Sequence, residues 1–104
     1  MAEINKRLAK GFTIASSIVI YTVPAGTTTF VKSLTLCNTN ASEAEFNMIL
    51  AGTKIISNYI LKSSSTVTIP YIDQILHSGE TIQVSSNSSG SSINFYISGK
   101  EVTS

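Results

Sequence analysis

Residues Tyr21-Thr-Val-Pro-Ala-Gly-Thr-Thr-Thr-Phe-Val-Lys-Ser-Leu-Thr-Leu-Cys-Asn38 constrain the fold more than any other part of the chain. Pro24 holds φ at about −65° and has no N–H to give a ladder, so it belongs at a strand end or in a turn. Gly26, two residues on, suits the positive φ that such a turn usually needs. Thr27 to Cys37 is dense in β-branched and apolar residues, and Asn38-Thr-Asn40 stops the run. The stretch reads as the end of one strand, a turn and a long second strand. Phe30, Leu34 and Leu36 are expected on one face of that second strand, with Ser33, Thr35 and Cys37 on the other.

The same signals recur along the chain. Ile18 and Ile20 point one way and Val19, Tyr21 and Val23 the other, so this strand must be covered on both sides. Phe46, Met48 and Leu50 alternate with Glu45 and Asn47, which marks a half-buried strand. Lys54 to Leu61 breaks its alternation at Ser57-Asn58, where a bulge is expected. Val67 and Ile69 face inward until Pro70 stops the strand. Tyr71 to Leu76 fits either a helical turn or a strand. His77-Ser-Gly79-Glu80 is a turn, Thr81 to Ser85 alternates, and Ser86-Asn-Ser-Ser-Gly-Ser91 reads as a hairpin loop with Gly90 at its positive φ. Ile93, Phe95 and Ile97 then alternate with Asn94, Tyr96 and Ser98 in a last strand that reaches Glu101 or beyond.

About eight short strands at roughly 8–12-residue spacing imply an all-β, antiparallel β-sandwich, jelly-roll-like in character. Residues 17–104 make a single sandwich domain. Residues 1–16 are an N-terminal arm or a short docking strand. Ile4 and Leu8, four apart, would also fit one helical turn, which Gly11 ends.

Composition narrows the function classes. The chain has 104 residues, enough for one core. Charged residues are 12%, about half the usual ~25%, and Ser, Thr and Asn fill the gap. With a net charge of +1, nothing electrostatic favours nucleic acid or an acidic membrane as a partner. Lys6, Arg7 and Lys10 read as a solvated end. Cys37 is the one cysteine, so no intrachain disulfide is available. Neither a secretory leader nor a membrane-length apolar run is visible, and synthesis in a cytoplasm is expected.

No catalytic, cofactor-binding or metal-ligating residues are assigned. Glu43 and Glu45 would share a strand face, but one sits at a turn and the other on a solvent face, which suits a solvated edge better than an acid–base pair. His77, Ser78 and Glu80 are adjacent turn residues, whereas a triad is built by geometry across a fold. A single His and a single Cys make a poor metal site. No phosphate-binding Gly-rich loop is present. Asn40-Ala-Ser42 and Asn87-Ser-Ser89 match the glycosylation sequon by the abundance of Asn and Ser. Tyr21, Tyr59, Tyr71 and Tyr96 pack at the rim of a core or, in a second reading, offer flat faces to a sugar.

Four segments together resemble the small structural proteins of tailed bacteriophages: Ile20-Tyr-Thr-Val-Pro-Ala-Gly26, Val31-Lys-Ser-Leu-Thr-Leu-Cys-Asn38, Gly79-Glu-Thr-Ile-Gln-Val84 and Ile97-Ser-Gly-Lys-Glu101. The likeness runs from about Ile18 to Glu101 and rests on turn and strand signals. It implies a β-sandwich virion component of the tail, baseplate, neck or capsid surface, made in the host cytoplasm. Such a protein would be non-enzymatic and would act by self-assembly and by docking to other virion proteins. The alternative is a carbohydrate- or receptor-binding module of a tail fibre.

Apolar residues exceed what one inward face per strand can bury. Ile4, Leu8, Val19, Tyr21, Ile56, Tyr59 and Leu61 are therefore the expected interface residues. A homo-oligomer, a trimer or ring, is the expected assembly.

Overall fold

The computed structural model describes residues 2–86 and 93–103. They form nine strands: β1 (Ala2–Phe12), β2 (Ile18–Thr22), β3 (Thr27–Asn38), β4 (Ala44–Leu50), β5 (Thr53–Leu61), β6 (Thr66–Ile69), β7 (Gln74–Leu76), β8 (Thr81–Ser86) and β9 (Ile93–Thr103). Beyond Ser86, the hairpin loop expected around Gly90 lies outside the described residues.

All the pairings are antiparallel and fall into two sheets. The first runs β1-β9-β3-β6, with β7 also on β3; the second runs β2-β8-β4-β5. β6 pairs with Leu34 to Cys37 and β7 with Thr29 to Val31, so both lie along β3. They act as one strand position, interrupted where Pro70 cannot donate to the ladder. Eight positions result, and the chain passes back and forth between the sheets in jelly-roll order. The all-β sandwich implied by strand spacing is the fold observed.

Residues 2–12 are the edge strand of the first sheet. β1 pairs with β9 from Ala2↔Thr103 to Phe12↔Asn94. Its ambiguity in the sequence has a physical cause: Leu8 is buried and Ala9 half-buried, while every other residue of the strand is exposed. Backbone pairing holds β1, so no period-2 apolar pattern is needed to form it.

Bulges set which side chains enter the core. In β1 the register slips at Leu8, opposite Ile97 and Ser98, and in β3 it slips at Lys32, opposite Ser98 and Gly99. The slip in β3 reverses the alternation: Thr27, Thr29 and Val31 are buried before it, and Leu34, Leu36 and Asn38 after it. Phe30 is thereby corrected to the outer face, half-buried, with the Lys32 and Lys100 ammonium groups 5.9 and 5.1 Å from its ring centroid. The bulge expected at Ser57-Asn58 is present, since Phe46 pairs with Tyr59 but Met48 with Ile56. Asn58 there has φ 53°, and its N–H donates to Asn47 Oδ1 at 2.8 Å.

The turn after β2 closes through Thr27 N–H donating to the Pro24 carbonyl at 3.2 Å, with Gly26 at φ 71°. The core lies between the sheets, with Leu34, Leu36 and Ile97 from the first meeting Phe46, Met48 and Ile82 from the second. Asn38 ends β3 fully buried, yet its amide is satisfied. Nδ2 donates to the carbonyls of Ser42 (3.1 Å) and Leu61 (3.0 Å), and Oδ1 accepts from the Asn40 N–H (2.9 Å). One buried amide thus ties three segments together.

Candidate functional site

One end of the sandwich is polar. Glu101 continues the inward phase of β9 beyond Ile97 and Gly99, and it is 9% exposed. Its carboxylate accepts from the Tyr21 hydroxyl of the opposite sheet and pairs with Lys6 of β1 at 3.4 Å. Tyr21 Oη also lies 2.8 Å from the hydroxyl of Thr29, which is fully buried. Four strands are joined by this cluster. Burial, then the hydrogen bond to Glu101, pushes the Tyr21 phenol up to about 12. A neutral phenol and a carboxylate sharing a hydrogen bond form a clasp between the sheets. Sequence reading left Glu101 out of every constellation, although its place at i+4 from Ile97 signalled an inward side chain.

The other chemical candidates fall apart in space or stay local. Glu43 is exposed before β4, and Glu45 lies within β4 opposite Ile60. The His77 N–H donates to Glu80 Oε1 at 2.6 Å, an interaction that closes their own turn. Among the described residues, no three His, Cys, Asp or Glu side chains converge to hold a metal ion. Tyr59 on β5, Tyr71 in the turn before β7 and Tyr96 on β9 are exposed, whereas Tyr21 is engaged in the inter-sheet cluster.

The expected interface residues divide. Ile4, Val19 and Tyr59 are exposed; Ile56 and Tyr21 are half-buried. Leu8 and Leu61 are corrected to the core. The bulge turns Leu8 inward over Gly99, and Leu61 pairs with Ala44 on the inner face. Phe12, Ile55, Ile60 and Ile75 are exposed as well. Of the ten large exposed apolar side chains among the described residues, seven (Ile4, Phe12, Val19, Ile55, Tyr59, Ile60 and Ile75) stand on β1, β2, β5 or β7, strands at the sheet edges. Edge strands also carry unpaired backbone donors and acceptors, so hydrogen-bonding capacity and apolar surface coincide there.

Fold and surface define a jelly-roll sandwich with apolar edges. No protein-family model matches the sequence, and no curated protein is similar to it. Among solved structures, it is similar to a chain in the structure of the infectious bursal disease virus Gx strain, with a TM-score of 0.51 and 11% sequence identity. The similarity covers 96% of this chain and 30% of that one, so this chain spans under a third of the viral chain's length. At that identity the likeness is one of fold.

Proposed function

We propose that the protein is a non-enzymatic structural component of a phage particle that assembles into a homo-oligomer, a trimer or ring, and docks to other virion proteins. The observation that carries this reading is the concentration of exposed apolar side chains on the edge strands of a jelly roll. Exposed Ile, Phe and Tyr beside the open backbone of an edge strand are suited to pairing with another chain. Fold similarity to a viral chain supports the virion part, and the four segments that resemble tailed-phage structural proteins support the phage part. Low surface charge, with 12% charged residues, weakens repulsion between copies.

Light scattering on the purified chain is expected to give a mass several times 11.1 kDa. Tyr59→Asp with Ile60→Asp on β5 is expected to lower that mass while circular dichroism stays native. Mass spectrometry of purified particles is expected to find the chain at a fixed, multiple copy number. A strict monomer at high micromolar concentration, together with absence from particles, would overturn the proposal.

A further inference from the structure

The net charge of +1 counts seven cationic side chains together, but the fold sorts them. Partners in an antiparallel pair share a sheet face. Arg7↔Ser98, Lys10↔Tyr96 and Phe12↔Asn94 therefore lie on the outer face of the first sheet, and Phe30↔Lys100 continues that face. Lys32, the bulged residue beside them, places its ammonium over the Phe30 ring. Four of the seven cations (Arg7, Lys10, Lys32 and Lys100) thus crowd one face, interleaved with Phe12, Tyr96 and Phe30. Glu3 pairs with Lys100 at 3.0 Å and Asp73 with Lys32 at 3.5 Å. Among the described residues, Arg7 and Lys10 have no carboxylate within ion-pair distance, and the Arg7 guanidinium lies 5.7 Å from the Tyr96 ring centroid.

We infer that this face binds single-stranded nucleic acid, with Arg7 and Lys10 meeting phosphates and the Phe12 and Tyr96 rings receiving bases. Phe12 is 61% and Tyr96 46% exposed, so both rings stand open to solvent, where a base can reach them. They stand diagonally on adjacent strands, one pair position on either side of Gly11↔Phe95, close enough for neighbouring bases. Flat rings interleaved with cations are the elements that recognise unstacked bases along a backbone. A duplex is a poorer fit, because the sheet face projects no helix or ribbon into a groove. An acidic protein surface would use the cations but gain little from the rings. The register of β1 against β9 creates the site, since it lines up Arg7, Lys10 and Phe12 beside Tyr96. The inference does not depend on particle assembly.

Fluorescence anisotropy with a labelled oligothymidylate tests it on the whole protein, with heparin as a polyanion that lacks bases. Binding in low salt is expected to weaken with rising salt, with a log–log slope of about 1.4 for two phosphates. Arg7→Glu with Lys10→Glu is expected to weaken both ligands at least tenfold. Phe12→Ser with Tyr96→Ser is expected to weaken the oligonucleotide at least about thirtyfold and to leave heparin unchanged. Both pairs are surface changes, so unaltered thermal melts are the control for folding. No oligonucleotide binding by the wild-type protein in low salt overturns the inference. So does equal binding of heparin and oligonucleotide with no effect of the ring changes, which would mark an acidic protein surface as the partner. A salt slope near zero, measured on the wild type alone, overturns it also.

Discussion

Gly99→Ala is expected to be among the most damaging single-methyl changes the chain can suffer. Gly99 lies mid-strand in β9, with the Leu8 bulge on one side and the Lys32 bulge on the other. A β-carbon there would overlap the carbonyl oxygen of Phe30 and lie 2.7 Å from Leu8 Cδ1 and 3.2 Å from Leu8 Cγ. The carbonyl belongs to the neighbouring strand and cannot swing aside. Leu8 can move, but only by leaving the core. Overpacking costs about 1–3 kcal/mol, and partial loss of a buried leucine adds about 1–2 kcal/mol to that. The sum, about 2–5 kcal/mol, is a large share of the roughly 5–15 kcal/mol that holds a domain of this size. At about 4–8 °C per kcal/mol, the melting temperature should fall by at least ~8 °C. Thermal and urea unfolding followed by circular dichroism would read this directly. Leu8→Ala separates the two contacts: the double variant should remain less stable than Leu8→Ala alone, because the clash with the Phe30 carbonyl persists. An unchanged melting temperature for Gly99→Ala would refute the steric reasoning.

Three further outcomes can be checked on the same purified protein. Ala51 and Gly52 both have positive φ, 51° and 77°, in the two-residue turn between Leu50 and Thr53; Ala51→Asn, which tolerates that region better, should raise stability by about 0.5–1 kcal/mol in urea titrations. Asn38→Ala strips the donors from the Ser42 and Leu61 carbonyls and should cost about 2 kcal/mol or more, seen as a lower urea midpoint. Tyr21 keeps its proton to about pH 12 when folded against 10.0 for the free phenol, so its contribution is full below pH 10 and is lost as pH rises toward 12. Tyr21→Phe should lower stability at neutral pH and flatten the alkaline decline of the urea midpoint between those values.

How much was legible in the sequence differs from strand to strand. The turn at Pro24 to Gly26, the bulge at Ser57-Asn58 and the inward residues of β4, β8 and β9 follow from local rules, because a strand with one buried face must alternate and a turn must use residues that accept its dihedrals. Those signals also give the all-β class. Phe30 was misplaced because nothing local marks Lys32 as bulged; the slip arises from pairing with Ser98 and Gly99, more than sixty positions away in the chain. Leu8 and Leu61 are core residues for the same kind of reason, since an isolated leucine among polar neighbours carries no period.

Tertiary structure alone decided what shares a face or an end. Glu101, Tyr21, Thr29 and Lys6 are scattered over β9, β2, β3 and β1, and only jelly-roll pairing brings them to one end of the sandwich. Charge shows the contrast most clearly. A sequence determines total charge, because a sum needs no geometry, and +1 by itself favours no nucleic-acid or acidic-membrane partner. Where those charges stand depends on the register of β1 against β9 and of β9 against β3, and that register gathers four of seven cations onto one sheet face. Local chemistry fixes where strands begin, alternate and turn, whereas long-range hydrogen bonding between strands fixes which side chains meet.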